Sequence, residues 1–191
     1  ITSLGSDRAL KVLKDGLVDL AIVMNNRFLT TSKEMIVETL YEESIEVLIS
    51  ANHPLTEYEC IPWSELIRYR QVIFKEGYGM QRLVQNQFNQ TQTLLKSALE
   101  VNTLDAFRGI VRQGELIALL PSSALIEART DPSLAIRPFV INNNGSSVHS
   151  TSLTRQVVIV TTQDRLQIPP IQYFWHLVKE QIPKQINIKQ L

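Results

Sequence analysis

Two glycines, Gly16 and Gly114, constrain this chain more than any other residues, because each stands between an amphipathic run and an apolar one. In the first stretch Leu10, Leu13 and Leu17 recur at spacings of three and four, and Leu20-Ala21-Ile22-Val23-Met24 follows. In the second, Leu104, Phe107, Ile110 and Val111 form the stripe, and Leu116-Ile117-Ala118-Leu119-Leu120 follows. Such spacing lines up side chains on one helix face, and a short continuous apolar run suits a strand buried on both faces. A glycine between them lets the helix end in the left-handed region, where a Cβ is costly. When Gly16 is laid on Gly114, Leu13 falls on Val111 and Leu20-Ala21-Ile22-Val23 on Ala118-Leu119-Leu120-Pro121. The order strand, helix, glycine, strand thus occurs twice, about a hundred residues apart. Two similar lobes account for the recurrence; so does the general grammar of α/β proteins.

The remaining elements fit around these units. Residues 1–4 read as a short strand, with Ser6 as the N-cap of the first helix. Residues 36–40 and 45–50 read as two strands, the second ending at Asn52-His53-Pro54. Pro62-Trp63-Ser64-Glu65-Leu66-Ile67 suggests a short helix and residues 72–74 a buried strand. Gly77-Tyr78-Gly79 then opens a helix with Met80, Val84 and Phe88 on one face. Residues 95–101 form a strand, and Asn102 or Thr103 caps the next helix. Residues 134–140 and 156–161 are further strands, either side of a polar loop over 142–154. Pro169-Pro170 starts a last helix with Ile171, Phe174, Trp175 and Val178 inward, and the tail from Pro183 is polar and frayed.

Composition narrows the function classes. A chain of 191 residues, 44% hydrophobic and 20% charged, buries one large core or two small ones. Lys plus Arg number 19 and so do Asp plus Glu, so no basic field draws this piece onto nucleic acid. Cys60 is the single cysteine, and with three scattered histidines it gives neither an intrachain disulfide nor a metal-ligand spacing. A reducing, cytoplasmic setting fits. Asn89-Gln90-Thr91 and Asn144-Gly145-Ser146 match the glycosylation pattern, which has meaning only in a secreted chain. No apolar run approaches the roughly 18 residues of a membrane span, and no signal peptide is seen. The chain starts at Ile1, without Met and inside a strand-like run, and reads as a piece of something longer.

Catalysis would need a nucleophile with its base, paired carboxylates or a metal, and none of the usual motifs occurs, so no enzyme is expected. His53, His149 and His176 read as surface or capping residues. Gly77-Tyr78-Gly79 is no dinucleotide fingerprint, because Arg82 stands where the third glycine belongs. Binding has more support. Helix N-termini offer unpaired N–H groups and partial positive charge, so Ser6 and Asn102-Thr103, each after a strand, can hold a small carboxylate at the strand ends. They equally read as plain helix caps. Gly77 to Met80 adds backbone amides and an aromatic ring, or is a turn; Lys75, Arg82 and Arg108 supply charge, or are solvated.

The core Leu13-Lys14-Asp15-Gly16-Leu17-Val18-Asp19-Leu20-Ala21-Ile22, then Asn52-His53-Pro54-Leu55, then Val111-Arg112-Gln113-Gly114-Glu115-Leu116-Ile117-Ala118-Leu119-Leu120-Pro121 resemble, in order and spacing, the effector-binding domain of LysR-type transcriptional regulators. Within that family the chain is similar to the cyanobacterial regulators of inorganic-carbon uptake and the carbon-concentrating mechanism. The resemblance implies an α/β fold of two Rossmann-like lobes of periplasmic-binding-protein type 2, joined by two crossover strands and truncated at the N-terminus by one strand and helix. One lobe would comprise residues 1–60 and 160–191, the other residues 61–159. By position, Ser6, Asn102 and Thr103 match effector-contacting polar residues, and Phe74, Lys75, Tyr78, Gly79 and Met80 the cleft wall. No metal or cofactor is implied. The effector would be a small organic acid of carbon metabolism, 2-oxoglutarate for example. Self-association as dimer or tetramer is implied, with DNA contacted only through an N-terminal domain outside this chain. Glu115 departs from the family pattern, which has a second glycine there, and is expected to face solvent. A periplasmic solute-binding protein is the alternative reading, and an enzyme on the same scaffold a third.

Overall fold

A computed structural model describes residues 1–25, 34–142 and 150–189. The chain forms two compact units, one of Ile1–Glu42, Gly77–Gly79 and Arg155–Leu191, the other of Glu43–Glu76 and Met80–Thr154. The chain thus leaves the first unit after Glu42, revisits it at Gly77–Gly79 and returns at Arg155. The first passage runs along β2 (Met35–Ser50), one 16-residue strand in place of the two expected ones. Its polar step Glu42-Glu43-Ser44 keeps the in-out alternation of a strand, with Glu43 buried between exposed neighbours.

The first unit holds α1 (Ser6–Lys14), β1 (Ala21–Met24), the start of β2, most of β10 (Thr154–Thr162), α5 (Gln163–Leu166) and α6 (Pro169–Lys189). Its strands run in the order β1-β10-β2, and β1 pairs antiparallel with β10 from Ala21↔Val160 to Met24↔Val157. Alternation along β10 serves two cores. Val158 and Val160 join Leu13, Ala21 and Val23 under α1. Val157 and Ile159 join Leu40, Trp175 and Val178 under α6. The exit of α1 is as expected: Gly16 has φ +77°, its amide donates to the Leu13 carbonyl at 3.2 Å, and the Leu17 amide to that of Val12 at 2.9 Å.

Five expectations fail in this unit. Residues 1–4 form no strand and pair with nothing among the described residues. Gly5, not Ser6, is the N-cap residue of α1. Leu17 and Phe174 are 73% and 46% exposed, Leu17 because it lies past the end of its helix. β1 is buried on one face only, with Ile22 outward. The helix over the tail also continues through Pro183 to Lys189. Ile182, packed against the Trp175 cluster, holds that turn in place despite the missing amide of the proline.

The second unit contains β3 (Ile61–Pro62), α2 (Trp63–Leu66), β4 (Gln71–Phe74), α3 (Gly79–Gln90, from Met80 on), β5 (Ser97–Val101), α4 (Leu104–Val111), β6 (Ile117–Pro121), β7 (Leu134–Arg137), β8 (Phe139–Asn142) and β9 (Ser150–Thr151). Its main sheet runs β7-β2-β6-β4-β5, with β4 parallel to both β5 and β6. All five residues of β6 are buried, as the apolar run demands. Val72, Phe107, Val111, Ala118 and Leu120 form the core beneath α4, while Met80, Val84 and Phe88 bury the inner face of α3. Trp63 of α2 packs on Phe88 at 4.7 Å between ring centroids and on Phe139 at 5.9 Å. Pro138 divides the strand expected over 134–140. Lacking an amide, it ends β7, which pairs with β2, and starts β8, which joins β3 and β9. His149 and Asn144-Gly145-Ser146 lie outside the described residues. Among the described residues no helix is long and apolar enough to cross a membrane.

Candidate functional site

The eight candidate residues fall into two groups, one in each unit. In the first unit, the start of α1 meets the Gly77-Tyr78-Gly79 turn. A Cβ on Gly5 would stand 2.8 Å from the Gly77 carbonyl oxygen and 3.4 Å from the Tyr78 ring, and one on Gly79 would stand 2.9 Å from Met24 Sδ. Glycine at both positions permits this close approach. Ser6 completes the group: its Oγ accepts from the Met24 amide at 3.4 Å instead of capping α1. Ser6, Tyr78 and Gly79 are therefore brought together through Gly5 and Met24.

In the second unit, the Lys75 amide donates to the Val101 carbonyl at 3.0 Å. That bond sets Phe74-Lys75, leaving β4, beside Asn102-Thr103, leaving β5. Phe74 packs on Phe107 of α4 at 4.6 Å. Thr103 is the N-cap of α4, its Oγ1 accepting from the Ala106 amide at 3.4 Å, so the cap falls on Thr103 and not on Asn102. Lys75, Asn102 and Thr103 are exposed, whereas Met80 is buried against the core and presents little polar chemistry. β5 and β6 flank β4 on opposite sides, so the chain reverses its direction across the sheet here, the place where parallel sheets bind ligands outside their carboxyl ends.

Of the other candidate charges, Arg108 is engaged by Asp105 and, at 2.7 Å, by Glu127, so it is not available to an incoming anion. Glu115 is exposed, as expected. His53 is buried and caps the 3-10 turn Pro54–Glu57, with Nδ1 accepting from the Leu55 amide at 3.1 Å. Among the described residues no three His, Cys, Asp or Glu side chains could together hold a metal ion.

Sequence reasoning missed a third polar step, at the end of β6. Ser122 and Ser123 follow Pro121, and both converge on Glu43 of β2: Ser122 Oγ donates at 3.2 Å, Ser123 Oγ at 3.1 Å and the Ser123 amide at 2.7 Å. Glu43 is 3% exposed, so its carboxylate is an internal occupant of the donors that end β6. The signal was present, since Ser-Ser after an apolar strand repeats the logic of Asn-Thr after β5.

Comparison with known proteins agrees with this architecture. The family described as LysR substrate binding domain matches residues 1–183. A "Probable nitrogen assimilation transcriptional activator" of Synechococcus elongatus is 48% identical over 180 residues, covering 94% of this chain and 55% of that protein. A protein of the same description from Synechocystis is 47% identical over 178 residues, covering 93% and 57%. The chain thus spans about half the length of the curated relatives it matches. Among solved structures, the CcmR regulatory domain of Synechocystis in complex with 2-PG has a TM-score of 0.73 at 16% identity, covering 92% of this chain and 78% of that one, and shows the shared fold. The fold is accordingly α/β of the periplasmic-binding-protein type 2 kind. With the family matched from Ile1 to residue 183, this chain belongs to the LysR substrate-binding domain family.

Proposed function

We propose that this chain is the ligand-sensing domain of a LysR-type transcriptional regulator, and that its effector is a small organic acid of the 2-oxoglutarate class. Its candidate contacts are Ser6, Tyr78 and Gly79 in the first unit, and Phe74, Lys75, Met80, Asn102 and Thr103 in the second. The observation carrying this reading is the Lys75–Val101 backbone bond, which sets the exposed residue Lys75 beside the exposed Asn102-Thr103 step at the strand reversal of a parallel sheet. One cation and a polar helix start suit a carboxylate; Phe74, the residue before Lys75, suits a short carbon chain.

The names of the two relatives near half identity favour nitrogen assimilation as the process regulated. An acid that links carbon and nitrogen metabolism reconciles this with the carbon-side resemblance. In the whole protein a further segment binds DNA, the protein acts as an oligomer in the cytoplasm, and the effector works through its differential affinity for two arrangements of that assembly. The test is calorimetric titration of the full-length protein with 2-oxoglutarate among a panel of keto and phosphorylated acids. One acid should bind, and Ser6→Ala and Thr103→Val should each weaken it about tenfold, the loss expected for one hydrogen bond to a charged group. Binding indifferent to both substitutions would displace the site, and silence toward every acid would remove the effector class.

A further inference from the structure

Gln71 stands apart from the other described polar side chains of the second unit. It opens β4 and is fully buried, and both its Nε2 and its Oε1 lack a hydrogen-bond partner among the described residues. Its backbone is satisfied, the amide donating to the Lys96 carbonyl at 2.8 Å, so the defect belongs to the side chain alone. Gln71 lines a narrow gap between β4 and α3, bounded by Ile73, Phe74, Met80, Gln81, Val84 and Leu119. As packed, that space is too narrow for a water molecule. The β4–β5 pairing also shifts register between Gln71 and Val72, so the irregularity of the sheet and the unpaired amide coincide. Buried amides are satisfied by protein or by water, and one that has neither stores strain.

We propose that the β4–α3 layer of the second unit is a two-state element. In the packed state described here the Gln71 carboxamide has no protein partner. In the other state the inner face of α3, at Met80, Gln81 and Val84, lifts from β4 and water hydrates the amide. The opposite layer, in which α4 packs on the same sheet through Phe107 and Val111, contains no comparable defect among the described residues and stays closed. Phe74 and Met80 border the space, so the opening alters two of the residues assigned above to the effector, although the two-state element does not depend on that assignment.

Native-state hydrogen exchange of the full-length protein, with and without Gln71→Met, tests this. Methionine keeps the size of glutamine and removes the amide. In the wild type, α3 amides should exchange through an opening distinct from global unfolding and faster than α4 amides. In Gln71→Met their exchange should slow roughly five- to thirtyfold, with the thermal midpoint raised by about 2–6 °C. An unchanged or lowered midpoint overturns the proposal, as does an ordered water bonded to Gln71 with α3 packed as here. Were the variant not to fold, the wild-type comparison decides alone: equal protection of α3 and α4 leaves no second state.

Discussion

His53 shows how little a residue's type reveals before its surroundings are known. It sits between Asn52 and Pro54, where it reads equally as a surface or a capping residue; it is the cap, 2% exposed, with its ring edge-on to Tyr69 at 4.5 Å. Burial lowers its pKa from the ordinary 6.5, so the folded protein keeps the ring neutral and Nδ1 free to accept from Leu55. The sign of the pH effect follows. The unfolded chain takes up the proton first, so this contribution to stability is complete above about 6.5 and declines as pH falls through the lower folded value. His53→Asn keeps a cap acceptor and removes the titration. It should cost about 1–2 kcal/mol at pH 7.5 through lost packing on Tyr69, and the fall in thermal midpoint between pH 7 and 5.5 should be shallower than in the wild type. Equal slopes would assign that dependence to another group. At this scale the candidate site was partly legible. Thr103 is a cap because a polar residue between strand and helix has few other uses, whereas the bond from Met24 to Ser6 and the Ser122–Glu43 contact join residues 18 and 79 positions apart, beyond the reach of any local rule.

At the scale of elements, glycine placement was the most legible signal and proline placement the least. Gly16 and Gly114 both adopt positive φ, +77° and +96°, at the ends of α1 and α4. Five residues before Gly114, Gly109 sits inside α4, and a Cβ there would meet nothing within 4 Å. The two glycines of one helix are therefore expected to respond in opposite directions to the same substitution. Gly109→Ala should stabilise by about 0.5–1 kcal/mol through the lower entropy of the unfolded chain, and Gly114→Ala should destabilise by about 1–2 kcal/mol through left-handed strain. Urea midpoints of the two variants at unchanged slope provide the measure; a shift in the same direction for both would contradict it. Pro138 and Pro183 obeyed no equally simple rule. The first divides β7 from β8 because each strand has a different partner sheet, and the second is tolerated inside α6 because Ile182 is anchored. Both outcomes depend on neighbours far away in sequence. So does the continuity of β2, whose polar centre reads as a break until Ser122 and Ser123 supply partners for Glu43.

For the whole chain, the repeated strand, helix, glycine and strand pointed to two units, but the pattern is silent on how evenly they are built. The second unit buries the cluster around Phe107 and Leu120 and, besides it, Ile61, Trp63, Leu66, Met80, Val84 and Phe88. The first divides its core between two clusters of five, and leaves Leu17, Ile22, Tyr173, Phe174 and Leu177 exposed. It also carries a cleft of about 770 Å³ lined by Ile1, Leu4, Val12, Leu17, Ile22 and Phe174 among others. Apolar surface left in water contributes nothing to stability, at about 25 cal/mol for each Å² that could have been buried. In this 191-residue chain the first unit should therefore unfold at lower denaturant than the second. The sequence supplies its own reporters, because its two tryptophans are divided between the units: Trp175 in the first and Trp63 in the second, both buried. In Trp63→Phe the remaining fluorescence follows the first unit, and in Trp175→Phe it follows the second, so each substitution falls in the unit not being observed. In urea, the Trp175 signal should move at a lower midpoint than the Trp63 signal, with circular dichroism spanning both transitions. Coincident midpoints would mean that the two units fold as one cooperative body, and that the thin core of the first is supported by the second.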